Sequence, residues 1–224
     1  MNRTSETGNV FFFVLLAVVL IGLVTVAIRD NGGGGNIDRE RIVIHASQVR
    51  QYANDLERGI TFIMQDGASE NDIRFANTVN ADYGNISDTP SRQVFHERGG
   101  GVEYRLPISD ISSAAQWEFY GHTHMPGVGT SAPELIAVLP DVTLDFCQKI
   151  NEMNGYDPAT QPLDNTGAEC VNAGAGFRFT SANQFSTGGA IDTTNEATFT
   201  VQPAMQGCVQ CGADYHFFHV LMAR

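Results

Sequence analysis

The chain has 224 residues, is 42% hydrophobic, and sets 13 Lys plus Arg against 25 Asp plus Glu, for a formal net charge of −12 at pH 7. An acidic surface of this size repels phosphate backbones, which excludes nucleic acid as a partner for the domain as a whole. With the first ~30 residues set aside, about 190 remain, enough for one compact domain, and a second half dense in Gly, Asn, Thr and Ser points to a loop-rich, β-containing extracellular domain rather than a helical bundle.

From Val10 to Ile28 the sequence carries no charge. A helix over those positions rises about 28 Å, close to the ~30 Å hydrocarbon core of a bilayer. A secretory signal has a shorter apolar region, roughly 7–15 residues, and only "TVA" at Thr25–Ala27 offers small residues for cleavage. Arg3 stands on one side of the segment and Arg29, Arg39 and Arg41 on the other, so the positive-inside rule gives no orientation. Residues 30–37 contain four consecutive glycines and read as a flexible linker, each glycine disfavouring helix by ~1 kcal/mol relative to Ala. Asp38 then reads as the N-cap of a second helix. In that helix Ile42, Ala46, Val49, Ala53, Leu56, Ile60 and Ile63 form one apolar stripe, and Gly67 ends it. The stripe is expected to pack on the domain's own sheet rather than on a second chain.

Beyond Gly67 the pattern turns to strands. Gln93–Leu106 reads as a hairpin around the Gly99–Gly101 turn. Ala115–His122 alternates and holds the only Trp. Glu134–Pro140 is a continuous apolar run, the mark of a central strand. Asp141–Gly155 reads as a short helix with Val142, Phe146, Ile150 and Met153 on one face and Gly155 at its C-terminus. "GFRFT", "ATFTVQP" and "DYHFFHVLMAR" are three further candidate strands.

The short polar "MNRTSETG", with Gly8 set directly against the apolar run, resembles the leader of the type IV pilin and pseudopilin superfamily. The resemblance extends through the chain in order: Gly8-Asn9-Val10-Phe11, then Ser47-Gln48-Val49-Arg50-Gln51-Tyr52, then Val94-Phe95-His96-Glu97-Arg98-Gly99-Gly100-Gly101, then Cys147-Gln148-Lys149-Ile150-Asn151-Glu152, and the closing Asp214-Tyr215-His216-Phe217-Phe218-His219-Val220-Leu221. These runs are similar to those of a bacterial pilin-like family. Where pilins carry Phe and Glu at the first and fifth mature positions, this chain has Asn9 and Phe13, so the carboxylate that pairs with a neighbour's terminal amine in the family is missing.

The resemblance implies an α+β, pilin-like fold, in which a long N-terminal apolar helix leads into an amphipathic helix packed on an antiparallel sheet, followed by a loop-rich C-terminal part. It divides the chain into a leader (1–8), an apolar transmembrane and assembly helix (9–29), the linker (30–37) and an extracytoplasmic domain (38–224). It places processing by a prepilin peptidase between Gly8 and Asn9, and assembly on Val10, Phe11, Phe12, Phe13, Val14, Leu15 and Leu16. The implied partners are copies of the chain itself, a pilus or secretion assembly platform, and the inner membrane before assembly. The implied location is the inner membrane and then the periplasm or cell surface of a Gram-negative bacterium. The alternative is a single-pass anchored periplasmic binding or adhesion module.

Chemistry-bearing motifs are sparse. Cys208–Cys211 has thioredoxin-type spacing, but it reads as a glycine-flanked loop before a strand rather than a helix N-terminus, so a structural disulfide is favoured over a redox pair. Four cysteines in an exported chain allow three pairings. The expected one ties Cys147 to Cys208 and Cys170 to Cys211, with the other two left open. His122 and His124, and His216 and His219, are the candidate metal ligands. The second two, three apart on a strand, point to opposite faces, and no metal is expected. With no nucleophile elbow, Walker loop or dinucleotide fingerprint, the chain reads as a structural protein without cofactor, not an enzyme.

Overall fold

The structure is a computed structural model that describes residues 12–21, 33–163, 171, 175–185 and 198–224. Contacts divide the chain into two compact units, Met1–Arg41 and Ile42–Arg224. The first contains helix α1, residues 12–21. This corrects the expectation of a long apolar N-terminal helix. Ten helical residues rise only about 15 Å, and among the described residues no helix is long and apolar enough to cross a membrane. Residues 9–11 and 22–29 of the expected helix lie outside the described residues. Helix α2 spans Gly33–Gln65. It begins inside the glycine run, so Asp38 is an interior residue and not the cap. A glycine's cost is small against the stripe that follows.

In the domain, α2 buries Ala46, Val49, Tyr52, Ala53, Leu56, Ile60 and Ile63. Ile42 is half-buried. The stripe lies on the domain's own core, as its spacing predicts. Strands β1 (Glu118–Thr123), β2 (Glu134–Leu139), β3 (Gln206–Cys211) and β4 (Asp214–Met222) form one antiparallel sheet in the order β1-β2-β4-β3. Helix α3, Leu144–Met153, starts at Thr143, whose hydroxyl accepts from Phe146 N. It ends before Gly155, which takes φ +81°, a conformation that glycine adopts without strain.

Pleating sorts the core into two layers. Leu135, Ala137, Leu139, Phe217 and Leu221 pack under α2 and α3. Ile136, Val138, Phe218 and Val220 face a second layer that includes Tyr156, Phe199 and Ala204 from the long loops. This two-sided cover is why β2 reads as an unbroken apolar run.

Other expectations need correction. Gln93–Leu106 makes no hairpin. Gln93 forms an isolated parallel bridge with Arg74, and the glycines close turns in which Gly100 N donates to Gln93 O (2.9 Å) and Gly101 N to His96 O (3.0 Å). Backbone groups that turn inward in this way cannot enter a ladder. "GFRFT" is a 3₁₀ turn at Ala175–Phe177 followed by a single bridge from Arg178 to Tyr120. Residues 199–203 form no strand. Cys208 and Cys211, expected in a loop, lie on β3.

The outer side of each edge strand carries a short cap. Phe179 N donates to Phe119 O of β1 (2.8 Å), and Pro162 O accepts from Gln210 N of β3 (2.8 Å).

Candidate functional site

Three features stand out for function: an exposed apolar segment, a covalently stapled domain and a small groove. The first is α1. Its large side chains, Phe12 to Leu16 and Val18 to Ile21, are each 46–68% exposed. Contiguous exposed apolar surface of this kind marks interaction sites. Of the expected assembly residues, Phe12, Phe13, Val14, Leu15 and Leu16 lie here. Gly8, Asn9, Val10 and Phe11 lie outside the described residues.

The staple is the Cys147–Cys208 disulfide, which joins α3 to β3 across 61 residues. Beside it, fully buried Asn151 clamps the same strand residue from both sides. Its Nδ2 donates to Cys208 O (3.0 Å), and its Oδ1 accepts from Cys208 N (2.8 Å). Cys211 is also disulfide-bonded, and its expected partner Cys170 lies outside the described residues. Cys208 is bonded to Cys147 and not to Cys211, so the CxxC motif does not act as a dithiol pair here.

Buried polar groups cluster around β1. Arg178 reaches Glu118 and Asp82, each at 2.6 Å, and Tyr120 donates to the other Glu118 oxygen at 2.5 Å. Arg178 and Glu118 expose only 14% and 8% of their side chains. Tyr83 OH accepts from Phe119 N (2.9 Å). At the start of β2, fully buried Glu134 accepts from Met125 N (2.7 Å) and faces His124 at 3.5 Å. Burial pushes its carboxyl pKa up. His122 is buried against Phe177, and desolvation pulls its pKa down to about 4.

His216 and His219 do take opposite faces. His219 Nε2 meets Glu57 of α2 at 3.2 Å, and His216 Nδ1 accepts from Asp141 N at 3.2 Å. Burial lowers both pKa values. Among the described residues no three His, Cys, Asp or Glu groups gather to hold a metal.

The groove lies between α2 and the extended arm 105–108. It has a volume of about 240 Å³ and is lined by Val49, Tyr52, Trp117 and Leu139 below, with Gln48, Arg105, Leu106, Pro107 and Ile108 around it. Its ring pair, Tyr52 and Trp117, meets edge to face at 5.3 Å. Sequence reasoning missed it. Trp117 and the Leu106-Pro107 pair stand out in the chain, but nothing local says that they meet Tyr52. Comparison with protein families, curated proteins and solved structures finds no match to this chain.

Proposed function

We propose that the chain is a pilin-like structural subunit of an extracytoplasmic filament of the type IV pilus or pseudopilus kind, assembled through its N-terminal apolar segment. The observation that carries this reading is the exposure of α1, where a run of large apolar side chains stands uncovered and packing against the same segment of neighbouring copies would cover it. The disulfides of the domain fit an oxidising compartment outside the cytoplasm. Residues 1–8 would be removed by a prepilin peptidase after Gly8, leaving Asn9 first. The inner membrane and the assembly platform would be the partners before incorporation.

The test replaces Val14–Ile21 with a leucine-rich sequence of equal length and, separately, Phe13 with Asp. A filament requires specific helix packing, and a buried unpaired charge has no compensating partner there. Filaments sheared from cells should vanish in both variants while the folded, disulfide-bonded domain is still made. Unchanged filaments and surface display with the replaced segment would overturn the proposal and favour the anchored binding module, a reading for which the groove speaks. N-terminal sequencing of protein from cells with an active prepilin peptidase should find Asn9 first, and a Gly8→Arg variant should stay unprocessed.

A further inference from the structure

The groove at Tyr52 has a chemistry of its own. Its floor is apolar and closely packed: Val49, Trp117 and Leu139 are at most 3% exposed. Its volume, about 240 Å³, falls below the ~300–1,000 Å³ of pockets that take drug-sized molecules. It suits a single ring or a short aliphatic chain. At the mouth the arm is pinned to the helix, because Arg105 N donates to Tyr52 OH (3.1 Å). The Arg105 guanidinium sits 5.4 Å from the Tyr52 ring centroid, within cation–π range. Burial raises the Tyr52 pKa, so its phenol stays neutral and brings no negative charge.

Arg58, Lys149, Arg178 and Arg224 each hold a carboxylate within salt-bridge distance. Among the described residues no carboxylate is paired with Arg105, although the chain has nearly twice as many acids as bases. A cation held over an aromatic ring, beside an apolar slot and near the Gln48 amide, presents two kinds of recognition in one place.

We propose that this groove binds a small apolar carboxylate, an aliphatic or aromatic acid whose hydrocarbon part lies against Leu106, Pro107 and Ile108 over the floor of Val49, Trp117 and Leu139, and whose carboxylate pairs with Arg105. The apolar part supplies affinity by leaving water. The charge supplies selectivity, since a planar guanidinium matches a carboxylate with two parallel hydrogen bonds. The small volume favours a free acid over a polypeptide segment. The proposal is independent of filament assembly.

Trp117 is the only tryptophan of the chain, so its emission reports on the groove without labelling. The full chain is titrated with hexanoate and phenylacetate, and with their neutral amides. Saturable shifts in emission are expected with both acids, with about fivefold weaker binding of the amides, the scale of an ion pair at a solvent-exposed mouth. Arg105→Gln should bring acid and amide to equal affinity while leaving the circular dichroism spectrum unchanged. Leu106→Ala, at the rim, should weaken acid and amide alike. Absence of a saturable shift with either acid, equal affinity for acid and amide, or discrimination that survives Arg105→Gln would each overturn the proposal.

Discussion

Gly59 of α2 and Gly100 of the triple-glycine loop stand against each other with no side chain between them. A Cβ on Gly59 would lie 3.3 Å from Gly100 O, and one on Gly100 would lie 3.2 Å from the Gly59 carbonyl carbon. The loop backbone can therefore lie flat on the helix, and this contact brings residues 101–108 alongside α2. Gly100→Ala should destabilise by roughly 2–3 kcal/mol, because its Cβ would also meet Val94 O at 2.7 Å, and backbone cannot step aside cheaply. Gly59→Ala should cost less. Its closest clash is the Val102 side chain at 2.6 Å, which can rotate, and alanine recovers up to ~1 kcal/mol of helix propensity. Urea unfolding of the two variants checks the order.

The Cys147–Cys208 bond and the Asn151 clamp act on the same strand residue. Replacing both cysteines with serine should lower stability by about 2–4 kcal/mol, from the entropy returned to the unfolded chain. Asn151→Ala leaves the disulfide in place but strips Cys208 of two buried hydrogen bonds, at about 1–3 kcal/mol. Because the sites touch, the triple variant should lose less than the sum of the two. Chemical denaturation of the oxidised proteins, with thiol titration as a control, measures each.

Glu118 and Arg178 are nearly buried, so breaking the pair should cost more than a surface ion pair would. Glu118→Ala strands the Arg178 guanidinium with Asp82 alone and should destabilise by about 3–5 kcal/mol. Asp82 is far more exposed, and Asp82→Ala should cost ~1 kcal/mol or less. A double-mutant cycle over Glu118 and Arg178, read by thermal unfolding, isolates their coupling.

Stability should fall on the acid side of neutrality. The folded-state pKa values of His122, His216 and His219 lie below the unfolded value near 6.5. Below that pH the unfolded chain binds more protons, so stability declines as pH drops from about 7. His122, shifted to about 4 by burial, accounts for roughly 3 kcal/mol of this limb. At His216 a proton on Nδ1 would confront the Asp141 N–H that now donates to it, and desolvation outweighs the nearby Asp141, Asp214 and Glu118 carboxylates. Glu134 runs the other way. Its pKa is raised above 4.5 by burial, so protonating it in acid relieves a cost present at neutral pH. Unfolding free energies between pH 4 and 8 should show the decline, and His122→Phe should flatten it by about 3 kcal/mol.

Elements defined by a period could be read from the chain. The α2 stripe and the α3 face repeat at helical spacing, β2 is an apolar run, and β4 carries alternating layers, so each announces what it packs against. The misreadings arose where local pattern and tertiary use diverge. Gln93–Leu106 looks like a hairpin because its glycines suit a turn, yet Gly100 is used for contact with Gly59. "CVQC" looks like a loop, yet Cys208 is fixed on a strand by α3. Apolarity from Val10 to Ile28 sets no helix boundary, and within that run the described helix is residues 12–21. The groove draws on α2, the 105–108 arm, Trp117 and β2. No spacing within one segment encodes a meeting of four.

The caps at Phe179 and Pro162 limit how the domain can meet its own copies. An open edge strand offers a row of amides and carbonyls to any passing strand, and sheets that grow in that way have no natural end. Here the outer side of β1 is engaged at Phe119 and that of β3 at Gln210. Copies crowded at high local density therefore have little means of fusing sheet to sheet. Any ordered contact between copies would then have to be made by side-chain surfaces, which can be changed one residue at a time without inviting amyloid-like runaway.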